Sequence, residues 1–242
     1  MITSVILVLV CIIIYHALRG KSEKPSSISQ PSADSITTAS PAADTSVGQI
    51  ARIVASTDFP QSGDQVKDFV IAPYEVSMEA HGPLDEDELQ DAVLVLENKS
   101  DPEGARPTLV LKQKTDGSYE LKSKSLKAIG AAYINGDFKQ YDSEELKIDS
   151  NRLSITTYSI GAVGNRKTQY RFIHNELILV YMETYNIGAG GQTSVVYDFL
   201  DHLITVTEVN TIKEDMPSTQ ERTKMKPHKP YLFENIDPTE IL

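Results

Sequence analysis

Between residues 74 and 209 short apolar runs alternate with turn signals at intervals too brief for helices, and this rhythm constrains the fold more than any other feature of the chain. Tyr74, Val76, Met78 and Ala80 alternate with Glu75, Ser77 and Glu79, the mark of a strand with one wet face. Ala92 to Leu96 is continuously apolar and predicts a central strand covered on both faces. Thr108 to Lys114 and Ser118 to Lys122 flank Thr115-Asp116-Gly117, whose glycine can take the positive φ of a hairpin turn. Further hairpins are expected at Ser150-Asn151, at the His174-Asn175-Glu176 corner and beyond Gly188 to Gly191, where Thr193 to Tyr197 and Leu203 to Val209 make a last pair. Roughly nine strands at such spacing predict an all-β fold, mainly an antiparallel sheet, sandwich-like or barrel-like. Ile50, Ile53 and Val54 add one short helix before Pro60.

The flanks read differently. Ile2 to Leu18 carries no acidic or basic side chain apart from His16 and would span about 26 Å as a helix, near the lower limit for a bilayer core. Residues 1–18 are therefore expected to be a transmembrane anchor. Residues 19–48, rich in Ser, Thr, Ala and Pro, are expected to be a disordered linker, 49–210 the β-rich domain, and 211–242 an extended tail clasped by Tyr231, Leu232 and Phe233. The three basic residues Arg19, Lys21 and Lys24 follow the apolar run, which favours a cytoplasmic flank, whereas the stalk-like linker favours an external one.

Charge and cysteine usage exclude several classes. The basic and acidic residues of 1–48 cancel, so the net charge of −11 falls on residues 49–242, a surface that repels phosphate backbones. Nucleic acid is not an expected partner. The five lysines from Lys112 to Lys127 are interrupted by Asp116 and Glu120 and read as a solvated face. Cys11 is the single cysteine and lies in the apolar run, so disulfides, thiolate metal sites and cysteine nucleophiles are excluded from the β domain.

Candidate chemistry concentrates in Gly82-Pro83-Leu84-Asp85-Glu86-Asp87-Glu88-Leu89-Gln90-Asp91. This loop, the preceding Ile71-Ala72-Pro73-Tyr74-Glu75-Val76 and the following run from Asp91 to Asn98 resemble the FG-GAP, or integrin-α-like, unit found in bacterial secreted and periplasmic proteins, over residues 69–122. The resemblance implies a calcium loop with ligands from Asp85, Asp87 and Asp91 and the Leu89 carbonyl, since Ca²⁺ prefers several oxygen ligands. Two positions depart from the pattern. Pro83 stands where the first aspartate belongs, and Glu88 replaces the glycine of the sharp turn. Calcium is accordingly expected to be weak, and the chain to need no cofactor for folding. A single such unit argues against a full propeller.

No Gly-x-Ser-x-Gly, His-Glu-x-x-His, phosphate-binding glycine loop or zinc spacing occurs, and no catalytic or cofactor-binding residue is nominated. His81, His174, His202 and His228 stand singly and read as structural or solvated. These features predict a monomeric β domain tethered to a bacterial membrane by a single pass and facing the periplasm or exterior, a non-enzymatic binding or structural protein whose partner is another envelope or surface protein. A hydrolase with a carboxylate site invisible in sequence, and an intracellular regulatory domain on a reversed anchor, are the alternatives.

Overall fold

A computed structural model describes residues 58–136, 138–159 and 164–241. The expected anchor, linker and opening helix, 1–57, lie outside the described residues. Among the described residues no helix is long and apolar enough to cross a membrane. Their helical structure consists of two 3-10 turns, Val66–Phe69 and Pro238–Glu240.

Among the described residues the chain is mainly antiparallel β, as its rhythm predicts, in open sheets with no closed barrel. The first sheet holds β1 (Ser62–Gly63), β2 (Glu75–Gly82), β3 (Asp91–Glu97), β4 (Thr108–Gln113) and β5 (Tyr119–Ser125) in the order β1-β5-β4-β3-β2. A small hairpin, β6 (Tyr133–Ile134) and β7 (Phe138–Lys139), follows. The second sheet is a seven-stranded meander of β8 (Ser143–Asp149), β9 (Arg152–Tyr158), β10 (Asn165–Ile173), β11 (Glu176–Gly188), β12 (Gly191–Asp198), β13 (Leu203–Asn210) and β14 (Ser218–Lys224). The turn residues do what their chemistry allows. Gly117 takes φ 86°, and the pairs Ser150-Asn151 and His174-Asn175 both adopt the left-handed conformation that closes two-residue hairpins.

The two sheets bury one shared core. Val93, Val95 and Val110 of the first sheet meet Leu153, Ile155, Tyr170, Leu179 and Met182 of the second. Alternate residues Ala92, Leu94 and Leu96 point the other way, against Phe59, Phe69 and Tyr74. β3 is thus buried on both faces, which is why its sequence is continuously apolar rather than alternating. In β2 the alternation is interrupted: a bulge between Val76 and Met78 leaves Val76 41% exposed while Met78 and Ala80 keep to the core.

The segment 211–242 contains a strand that its polar sequence hides. β14 pairs with β13 from Leu203↔Lys224 to Val209↔Ser218 although all seven of its residues are exposed. Further on, the Leu179 amide donates to the Tyr231 carbonyl and the Phe233 amide to the Leu177 carbonyl, each at 2.9 Å. Phe233 is fully buried, edge-on to Tyr170 at 5.1 Å.

Candidate functional site: an acidic loop closed by a lysine

β2 and β3 are paired to their ends, Gly82↔Asp91, so residues 83–90 form a tight excursion above them. Gly82 starts the loop against β8, where a Cβ would lie 3.0 Å from the Ile148 side chain; a glycine is what this approach requires. Leu84, 1% exposed, pins the loop to the shared core. Beyond it two side chains fold back onto the backbone: Asp85 accepts from the Asp87 amide at 3.1 Å, and Asp87 accepts from the Leu89 amide at 3.0 Å. Glu88 then takes φ 59°, in the left-handed region, at the position where the FG-GAP pattern carries glycine.

These turns bring Asp85, Asp87 and Asp91 together, with one oxygen of each within 4.8 Å of the others. The expected fourth ligand, the Leu89 carbonyl, accepts the Asp91 amide at 3.1 Å. Between the carboxylates lies the Lys112 ammonium, 2.7 Å from Asp85, 2.7 Å from Asp91 and 3.3 Å from Asp87. The lysine reaches this point by strand register. Leu111 pairs with Ala92, so Lys112 stands across from Asp91 one step further along the ladder.

Asp91 is the anchor of the arrangement and is wholly buried. Its Oδ1 accepts the Gln113 amide at 3.0 Å, and its Oδ2 accepts the Leu84 amide at 2.9 Å as well as the lysine. Gln113 also receives the Gln90 amide on its side-chain oxygen at 2.9 Å, which fastens the end of the loop to β4. Burial pushes the Asp85 carboxyl up, but hydrogen bonds from Lys112 and the Asp87 amide outweigh it and hold the group below its ordinary value of 3.8. For Lys112 burial works against the charge, and the hydrogen bonds to Asp85 and Asp91 outweigh it, raising the ammonium above its ordinary 10.5. Both groups are therefore charged at neutral pH. The lysine run from Lys112 is only partly the solvated face expected of it, since the Lys112 side chain is 16% exposed.

A cleft of about 410 Å³ opens beside the loop. Its lining includes Asp85, Glu86 and Asp87 of the loop, Lys112 of β4, Lys122 of β5, and Arg171 and Phe172 of β10. Asn151 and Asn175, at the tips of two hairpins, complete the rim.

Two clusters were not legible as such in the sequence. Arg106, before β4, is buried and grips Glu144 of β8 with both guanidinium nitrogens, one at 2.9 Å, while its Nε donates to the Gly130 carbonyl at 2.7 Å. His202 and His228, which read as isolated, bring their rings within 5.5 Å of each other, and His228 stacks on Tyr231 at 4.7 Å. His81 stays exposed, 2.6 Å from Glu79, and His174 sits at a hairpin tip.

Comparison with known proteins finds no matching family model, no matching curated protein and no matching solved structure.

Proposed function

We propose that the chain is a non-enzymatic binding domain of the bacterial envelope, held to the membrane by residues 1–18 and facing outward on the 19–48 linker, with the Lys112-closed loop as the rigid bank of its binding cleft. The carrying observation is the ammonium among Asp85, Asp87 and Asp91 at the edge of that cleft. A calcium loop needs its carboxylate oxygens for the ion, yet here both oxygens of Asp91 are engaged and a lysine already supplies the positive charge. Lys112 thus takes the place that the FG-GAP resemblance gives to calcium, and the missing carboxylate at Pro83 fits a site that has exchanged its metal for a side chain. In this cleft Asp85 is held ionised by its hydrogen bonds from Lys112 and the Asp87 amide, so it is not the raised-pKa carboxyl that a general acid needs.

Placement is tested by protease added to intact cells and then to cells with a permeabilised outer membrane. The expected result is digestion of residues 49–242 while the inner membrane is whole. Protection until that membrane is breached would reverse the orientation and favour the intracellular alternative.

A further inference from the structure

The turn between β12 and β13 and the chain that leaves β14 bring two histidines together, in a cluster that shares no residue with the acidic loop. The β13–β14 ladder continues one step past Leu203↔Lys224, where the Met225 amide donates to the His202 carbonyl at 2.8 Å. Three residues on, the His228 ring lies 5.5 Å from that of His202, centre to centre, with the planes at 77°. Tyr231 stacks on His228 at 4.7 Å and Phe199 meets it edge-on at 5.8 Å. Tyr231 is itself fixed, since its carbonyl accepts the Leu179 amide at 2.9 Å. His228 is thus held by backbone bonds on either side of it and by aromatic rings around it, before any ligand arrives.

The two nitrogens of His228 are not equivalent. Nδ1 lies 2.8 Å from the Lys229 carbonyl, which can only accept, so the ring proton sits on Nδ1. Nε2 is left as a bare lone pair, shielded from solvent, and no donor among the described residues reaches it. A metal-binding imidazole is held in this way, one N–H on a carbonyl and the other nitrogen free for the ion. We propose that His202 and His228 share one divalent transition-metal ion of the zinc class, bound through Nε2 of His228 and a ring nitrogen of His202. Two imidazoles on one tetrahedral ion, each with a metal–nitrogen bond of about 2 Å, stand about 5 Å apart at their centres. The separation found here is close to that, and His202 is exposed and free to make the small adjustment. Imidazole suits zinc and its neighbours, whereas calcium takes oxygen, so this pair and the acidic loop select different ions. With two protein ligands the remaining positions go to water, and the ion ties the C-terminal segment to the β12–β13 turn.

The test is calorimetric titration of Zn²⁺ into the full chain, with calcium present in excess to occupy exposed carboxylates. A single ion should bind saturably and raise the melting temperature. His202→Asn and His228→Phe should each weaken zinc by at least about tenfold, because loss of a ligand costs no less than loss of the group that orients one. Asparagine suits the left-handed backbone of His202, φ 52°, and phenylalanine keeps the stack on Tyr231, so both variants should fold without metal. In the natural chain zinc should also shift the ring NMR signals of His202 and His228 and leave those of His81 and His174 in place, a readout that needs no substitution. The proposal is overturned by the absence of saturable heat, by zinc affinity that survives either substitution, or by ring shifts confined to His81 or His174.

Discussion

Replacement of Glu144 with alanine is expected to destabilise the protein by about 3–5 kcal/mol, read as a lower urea midpoint with an unchanged slope. Glu144 lies on β8 of the second sheet, whereas Arg106 belongs to the connection that leads into β4 of the first. The pair therefore joins the two layers. The Arg106 side chain is only 3% exposed, so loss of the carboxylate strands a guanidinium where water reaches it poorly, with the Gly130 carbonyl as its remaining partner. Desolvation offsets much of the attraction in the intact pair. Removal of both charges in Arg106→Met with Glu144→Leu should accordingly recover most of the loss. A single Glu144→Ala loss below about 1 kcal/mol would mean that the ion pair is solvated and the layers are held by apolar contacts alone.

Phe233→Ala should cost a similar amount, about 3–5 kcal/mol, although the residue lies in a segment of mixed polar composition. The ring is fully buried, packs edge-on against Tyr170 and belongs to the same core cluster as Val93, Val110 and Leu179. Truncation removes a large apolar side chain and leaves a cavity lined by residues fixed in two sheets, which collapse poorly. The backbone bonds of the Phe233 amide to Leu177 and of the Leu179 amide to Tyr231 survive the substitution, so the loss reads the ring itself. Thermal unfolding checks this. A drop of less than about 1 kcal/mol would show that the C-terminal segment docks on a core complete without it.

The strand rhythm was legible because local chemistry decides it. Gly117, Asn151 and Asn175 stand where hairpins need left-handed backbone, and the run Ala92–Leu96 announces a strand covered twice. What was hidden depends on distant partners. β14 is Ser-Thr-Gln-Glu-Arg-Thr-Lys, with no apolar residue to betray a strand; it forms because β13 offers an unpaired edge. Val76 fits a perfect alternation and is nonetheless exposed, because the bulge that turns it outward is set by pairing with β3. In the acidic loop the three aspartates were legible as a group and their counter-ion was not. Lys112 is 21 positions from Asp91, and only the register of β3 against β4 brings it there. The signal was present in a lysine that ends the apolar run Thr-Leu-Val-Leu, one step past a pairing of Leu111 with Ala92. Arg106 with Glu144, and His202 with His228, likewise meet through the packing of separate elements, which no spacing in the sequence encodes.

Whether a lysine has replaced calcium in the acidic loop is decided most directly by calorimetric titration of Ca²⁺ into the full chain and into Lys112→Met. The natural chain should give no saturable heat at micromolar calcium and almost no rise in melting temperature, because a site of millimolar class gains only RT ln(1 + [L]/Kd). In Lys112→Met the carboxylates of Asp85, Asp87 and Asp91 lose their internal counter-charge, and calcium affinity should rise by at least about tenfold. A micromolar dissociation constant in the natural chain, abolished by Asp87→Ala, would contradict the lysine-closed loop and make calcium its working cation.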